Sequence, residues 1–215
     1  MRMRDVFVLS DEDMSYAWFC CDQCSKVMRP EWAKVVQSTV NQVIQAYYRL
    51  PVERRSGIRV LELIGEYWKK DVGLFESKFH YHEVLLKITD HLLQYLSNDG
   101  SMSPPALLFE ELNAFIKELN LSLQLNLHVV QWTPTSVAIK KYIVFENPYV
   151  LEAFKHIISV FCHHGVLSFP EKIEIINILD GTKKEIEIEK DLQKSLDYLF
   201  LSKEVVQKNG LSLLV

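Results

Sequence analysis

Cys20, Cys21 and Cys24 lie within five residues, and Cys21 and Cys24 have the C-x-x-C spacing of half a zinc site or of a redox dithiol. The one remote thiol, Cys162, is followed by His163 and His164. Cys21, Cys24, Cys162 and His163 would therefore supply a tetrahedral sulfur and nitrogen set of the kind zinc takes. Against that chemistry stands the local pattern. Met14, Ala17, Trp18, Cys21, Cys24 and Met28 recur every three or four residues, as on the buried stripe of a helix. No glycine falls between Ser10 and Arg55 to fold a tight metal knuckle. The cysteines are therefore read as small apolar side chains of a helix. A redox pair would open a helix after a strand, and this pair sits inside one.

A second group could bind anions. All seven arginines lie at or before Arg59, and Arg49, Arg54, Arg55 and Arg59 share one eleven-residue stretch. The guanidinium fork suits phosphate or carboxylate, so this stretch is the candidate contact for an anion or a nucleic acid. The plainer reading is a solvated turn between two helices.

Other constellations dissolve on inspection. Cys162 and His163 are adjacent, so on a helix they point about 100° apart and do not form a nucleophile and base. His80 and His82 would diverge on a helix, with His82 at the core boundary and His80 exposed. Val137-Ala138-Ile139-Lys140 copies a kinase lysine strand, but the companion motifs are missing, as are the glycine-rich phosphate loops. Glu146 follows a strand and precedes a helix start, with Asp180 as its one strand-end partner for a divalent ion.

The elements that must position these residues follow from periodicity and punctuation. Helices are expected over 14–28, 30–50, 57–70, 75–97 and 103–119. The 75–97 helix turns Phe75, Phe79, His82, Leu85, Leu86, Leu92, Leu93 and Leu96 inward, and the 103–119 helix opens at Ser103-Pro104-Pro105. At Leu121 the period changes to two, with Leu121, Leu123, Leu125, Leu127 and Val129 alternating with Ser122, Gln124, Asn126, His128 and Val130 on the opposite, mostly polar face. Strands at 136–145, 173–179 and 184–189, helices at 148–164 and 192–208, and a last strand at 211–215 complete the chain. Asp180-Gly181 marks a hairpin.

The fold class is α+β. A helical region of about five helices spans 1–120. An α+β unit spans 121–215, with the ferredoxin-like order β-α-β-β-α-β from 136 on, either as a second domain or packed with the helices as one. The polar face of that sheet would show Glu174, Asn177, Glu185, Glu187 and Glu189, which repel phosphate and disfavour RNA.

The bulk numbers limit function. The chain has 215 residues, 48% hydrophobic and 24% charged, with a formal charge of −4. Residues 1–120 carry 14 basic and 17 acidic groups, and residues 121–215 carry 10 and 11, so no broad field draws nucleic acid or membrane. No apolar run approaches the roughly 20 residues of a membrane span. Val6-Phe7-Val8-Leu9 is too short for a secretory core, and the four cysteines do not form a disulfide framework. These features imply a cytoplasmic, non-enzymatic interaction or regulatory protein with no cofactor, whose partner is another protein or a second copy paired through an open strand. The competing reading is a zinc-containing nucleic-acid factor or metal-dependent enzyme built on the Cys20–Cys24 cluster with Cys162 and His163.

Overall fold

The computed structural model describes residues 8–10, 30–97 and 103–208. The expected helix at 14–28, with Cys21 and Cys24, and the expected strand at 211–215 lie outside the described residues.

Helix α1 (Glu31–Arg49) starts directly after Pro30, whose φ of −65° suits a helix entrance, and stops before Pro51. Its buried side includes Ala33, Val36, Val40, Val43, Ile44 and Tyr47. Helix α2 (Gly57–Tyr67) is capped by Ser56, whose Oγ accepts from the Arg59 N–H. Helix α3 spans Lys78–Ser97. The first turn of α2 touches the end of α3, where Gly57 faces Leu93 and Ser97. Past the end of α2, Trp68 Nε1 donates to Tyr81 Oη at 3.0 Å near the start of α3. The two helices are thus an antiparallel hairpin.

The helix expected at 103–119 is a strand, β2 (Leu107–Ile116). It pairs antiparallel with β3 (Leu121–Trp132) from Leu107 opposite Val130 to Ile116 opposite Leu121. A ladder of nine residue pairs outweighs a helical stripe that is compatible with either period. Asn120, at φ +47°, closes the turn in a conformation that asparagine tolerates.

Strand β4 (Val137–Ile143), helix α4 (Pro148–His163), strands β5 (Lys172–Asn177) and β6 (Thr182–Ile186) and helix α5 (Leu192–Lys208) follow close to the expected ranges. All six strands form one sheet. One side of β3 is lined by β2. The other is shared between β1 (Val8–Ser10), parallel to 122–124, and β4, antiparallel to 129–132. Strand β5 pairs parallel with β4, and β6 forms the edge beyond it.

The ferredoxin-like arrangement is therefore not formed. That order inserts a strand between the two parallel ones, whereas β4 and β5 are hydrogen-bonded directly and α4 makes an unsplit crossover. The tight hairpin at Asp180-Gly181 keeps β6 on the outside of β5, and β3 already occupies the other side of β4. What holds is the α+β class.

Two apolar clusters sandwich the sheet. One joins Leu121, Leu123, Leu125 and Leu127 to Phe154, Ile157, Phe161, Leu196 and Leu199 of α4 and α5. The other joins α1, α2 and α3 to Val129, Tyr142, Val144, Ile176 and Ile178. Because β5 is covered on both faces, Glu174 and Asn177 are buried, not displayed on a polar face. Glu174 is only 2% exposed and accepts from Lys172 at 2.9 Å and Lys183 at 2.7 Å. Those two ammonium groups hold its carboxyl below the usual value against the upward push of burial.

The alternation along β3 also breaks. After Leu127 it is Val130, three residues on, that rejoins the α4–α5 core, while Val129 and, on β2, Leu108 and Phe109 pack against the α1–α3 core. Phe109 sits at φ +51°, and the ladder skips its pairing with His128. Both strands turn over at this point. His128 and Val130, expected on the polar face, are buried.

No helix among the described residues is long and apolar enough to cross a membrane.

Candidate interaction surface

The arginine stretch divides by role. Arg55 Nη2 donates to the Tyr48 carbonyl at 2.8 Å and Nε to the Leu50 carbonyl at 3.1 Å, with the guanidinium 5.3 Å from the Tyr48 ring centroid. It satisfies carbonyls left open where α1 ends. Arg59 pairs with Glu62 one turn on. Arg54 is exposed, and Arg49 lines a shallow cleft of about 200 Å³ with Gln42, Gln45 and Tyr67.

Cys162 is buried, and its thiol donates weakly to the Ser168 carbonyl at 3.6 Å. Burial pushes the thiol up to about 12, so the thiolate that metal ligation or attack requires is disfavoured. His163 faces its own helix, with Nδ1 2.9 Å from the Ser159 carbonyl and its ring edge-on to Phe169. Among the described residues no three His, Cys, Asp or Glu side chains come together as a metal cluster. Glu146 binds Lys184 through both oxygens at 2.7 and 2.8 Å, and Asp180 accepts from Asn177 Nδ2 at 2.9 Å.

Two polar constellations were not foreseen. Beyond Lys140, β4 leaves β3, and side chains replace the lost ladder. The Tyr142 N–H donates to His128 Nδ1 at 3.2 Å, which places the His128 ring proton on Nε2. Lys141 Nζ donates to the Asn126 carbonyl at 3.4 Å and lies 4.3 Å from the Phe154 ring centroid. From α1, Gln37 donates to the Tyr142 carbonyl at 3.0 Å and accepts from the Val144 N–H at 2.8 Å. Its amide stands in for the peptide of a missing strand. A cleft of about 270 Å³ lined by Asn41, Phe109, Glu110, Asn126, Leu127 and His128 opens beside this fork.

Between α4 and α5, His156 Nδ1 lies 3.1 Å from Ser195 Oγ and Nε2 lies 3.2 Å from Glu152 Oε1. Ionised Glu152 only accepts, so Nε2 carries the proton and Nδ1 accepts from the Ser195 hydroxyl. The connectivity matches a serine–histidine–carboxylate relay, but Ser195 is fully buried and no substrate carbonyl reaches it. The ring stacks on Tyr198 at 4.3 Å, and burial lowers the His156 pKa despite Glu152. His156 and Ser195 are 39 residues apart on separate helices, and no local periodicity could have joined them.

The accessible feature is apolar. On α3 the buried stripe is Tyr81, Val84, Ile88, Leu92 and Leu96. Phe79, His82 and Leu86, expected inward, form a second stripe that faces solvent, with Phe79 78% and Leu86 72% exposed. His80, expected exposed, instead sits edge-on to Trp32 at 5.0 Å. On α2, Val60 and Ile64 are buried, while Ile58 (70% exposed), Leu61 and Gly65 line the opposite side at i, i+3 and i+7. The antiparallel pairing sets Gly65 roughly level with Leu86. The two solvent-facing stripes therefore lie on the two helices of one antiparallel hairpin.

The frame is a helix-covered mixed sheet of the α+β class carrying exposed apolar side chains on one helical hairpin. No protein-family model matches the chain, and no curated protein sequence matches it either.

Proposed function

We propose that this chain is a non-enzymatic protein-interaction protein that receives its partner on the exposed apolar side chains of the α2–α3 hairpin. One observation carries the reading. Ile58, Leu61, Phe79 and Leu86, all large and apolar, are exposed on the two helices of one antiparallel hairpin. Scattered surface apolar residues need no explanation, but a contiguous patch is the mark of a contact site. Leaving each such side chain in water forgoes about 1.5–3 kcal/mol that burial against a partner would recover. Helical contacts of this kind are read through apolar anchors at i, i+3 and i+7.

The test is site-specific photocrosslinking in cells, with a crosslinking residue at Phe79 or Leu86 and a control at the exposed Lys190. Discrete adducts at the two hairpin positions and none at the control are expected. Equal labelling at all three positions, or none at the hairpin, removes the reading. Phe79→Ser/Leu86→Ser should abolish the adducts formed from a crosslinker at Ile58 while leaving stability within about 0.5 kcal/mol, since neither side chain is buried.

A further inference from the structure

Helices α4 and α5 meet through buried polar side chains. His156 on α4 and Ser195 on α5 are no more than 2% exposed and are bonded to each other. Ser202, fully buried further along α5, turns its hydroxyl onto the Tyr198 carbonyl of its own helix at 2.8 Å. One turn along α4 from His156, the buried Ser159 Oγ finds no hydrogen-bond partner among the described residues. A polar network that is only partly satisfied holds two helices less firmly than an apolar contact would.

The contact is arranged for a neutral ring. Nδ1 of His156 accepts from the Ser195 hydroxyl at 3.1 Å, and Nε2 gives its proton to Glu152 at 3.2 Å. A second proton would settle on Nδ1 and oppose the Ser195 O–H. That hydroxyl would have to turn onto the Asp191 carbonyl, which already accepts the Ser195 N–H at 3.2 Å. The neighbouring carboxylates answer the new charge only in part. Glu152 is shared with Lys155 at 2.5 Å, and Glu189, on the segment leading into α5, is bound to Lys194 at 2.5 Å. Tyr198 offers the cation its ring face at 4.3 Å. Burial outweighs these attractions and lowers the His156 pKa from the ordinary 6.5.

The far end of α5 is fastened separately, where Lys203 Nζ donates to the Leu119 carbonyl in the β2–β3 turn at 2.8 Å. Independently of the interaction reading above, we infer that the α4–α5 contact is a proton-operated latch. A proton on His156 Nδ1 frees the first half of α5, Leu192 to Leu199, from α4 while the sheet stays closed. One proton is taken up for each opening, and Leu196 and Leu199, buried in the closed form, come into water. The latch holds above about pH 6.5 and slackens as pH falls toward the lowered value of the docked ring.

Hydrogen exchange of the full chain, followed by mass spectrometry at about pH 7.5 and about pH 5 and corrected for intrinsic rates, tests this. Protection across 195–201 should fall by up to about tenfold for each pH unit below 6.5, the slope of one proton. Strands β4 and β5 should keep theirs, and His156→Gln should remove the pH response of α5. An equal fall across helix and strands, an α5 indifferent to pH, or the same fall in His156→Gln overturns the inference. Circular dichroism checks that the variant is folded. If it is not, the wild type still decides through the contrast between α5 and the strands. A His156 ring that titrates at or above 6.5 by NMR also overturns the latch.

Discussion

Gly181 answers to two constraints at once. Its φ of +67° is left-handed, and a β-carbon there would collide with the His91 ring, whose Nδ1 sits 2.8 Å from the Ile178 carbonyl. Tyr95 Oη also donates to the Gly181 carbonyl at 2.7 Å, so the β5–β6 turn is fastened to α3. Gly181→Ala should therefore cost about 2 kcal/mol or more in urea denaturation, combining strain and displacement of His91. Gly65→Ala should act in the opposite direction and raise monomer stability by up to about 1 kcal/mol, because open space surrounds it and helix propensity alone changes. Gln37→Leu should cost about 1–3 kcal/mol by the same measurement, since the Val144 N–H and Tyr142 carbonyl lose the amide that pairs them. Residue roles of this kind were unevenly legible in the sequence. Asp180-Gly181 announces its turn, but nothing near Gln37 shows that its side chain completes a strand 105 residues away.

At the scale of elements, α3 and the α4–α5 pair differ in how they use their faces. Helix α3 carries large apolar residues on both sides, so periodicity alone could not say which stripe meets the core; the structure buries Tyr81, Val84 and Ile88 and leaves Phe79 and Leu86 outside. Helices α1, α4 and α5 were readable because their signals are local: Pro30, Asn147-Pro148, and Asp191, whose carboxylate accepts from the Gln193 N–H. The α4–α5 contact also sets a pH dependence. His156 faces Glu152 and Lys155 on its own helix, Ser195 and Tyr198 on α5, and Glu189 on the segment leading into it. Burial lowers its pKa from the ordinary 6.5, so the unfolded chain takes up a proton that the folded one resists. The histidine's contribution is fully present above about pH 6.5 and is lost as pH falls toward the lowered folded value. Urea titrations on either side of that window should show stability dropping on acidification, with a shallower drop in His156→Gln. An unchanged slope in that variant would assign the effect elsewhere. Cys162, raised to about 12 on the same helix, should resist iodoacetamide in the native protein and react only after denaturation, as read by peptide mass spectrometry.

For the molecule as a whole, one sheet serves two cores. Strands β4 and β5 send successive side chains to opposite clusters, as Ile175 and Ile176 do, so neither helical cover can be lost without exposing strands the other still needs. Unfolding followed by tryptophan fluorescence, to which Trp68 in the α1–α3 core contributes, should coincide with unfolding followed by far-ultraviolet circular dichroism. Separate transitions would show that the two covers melt independently. This shared sheet was the least legible feature. Strand β1 pairs with β3 from residues 8–10, far away in sequence, and leaves no local trace; β2 joins β3 through the short turn at 117–120, but its apolar residues also fit a helical stripe. The alternation of Leu112, Ala114 and Ile116 with Glu111, Asn113 and Phe115 was the local trace of β2.

The backbone reversal at Phe109 has a bearing on how the protein survives at high concentration. Strand β2 is ten residues long and, among the described residues, pairs on one side only. A straight strand of that length would be a template along which foreign chains could add and grow into fibrils. The left-handed residue cuts it into a short and a longer piece that present opposite faces, and Glu110 and Glu111 follow the cut. An incoming strand loses its register there and meets negative charge, so the same kink that lets two cores share one sheet also shields the chain from runaway assembly.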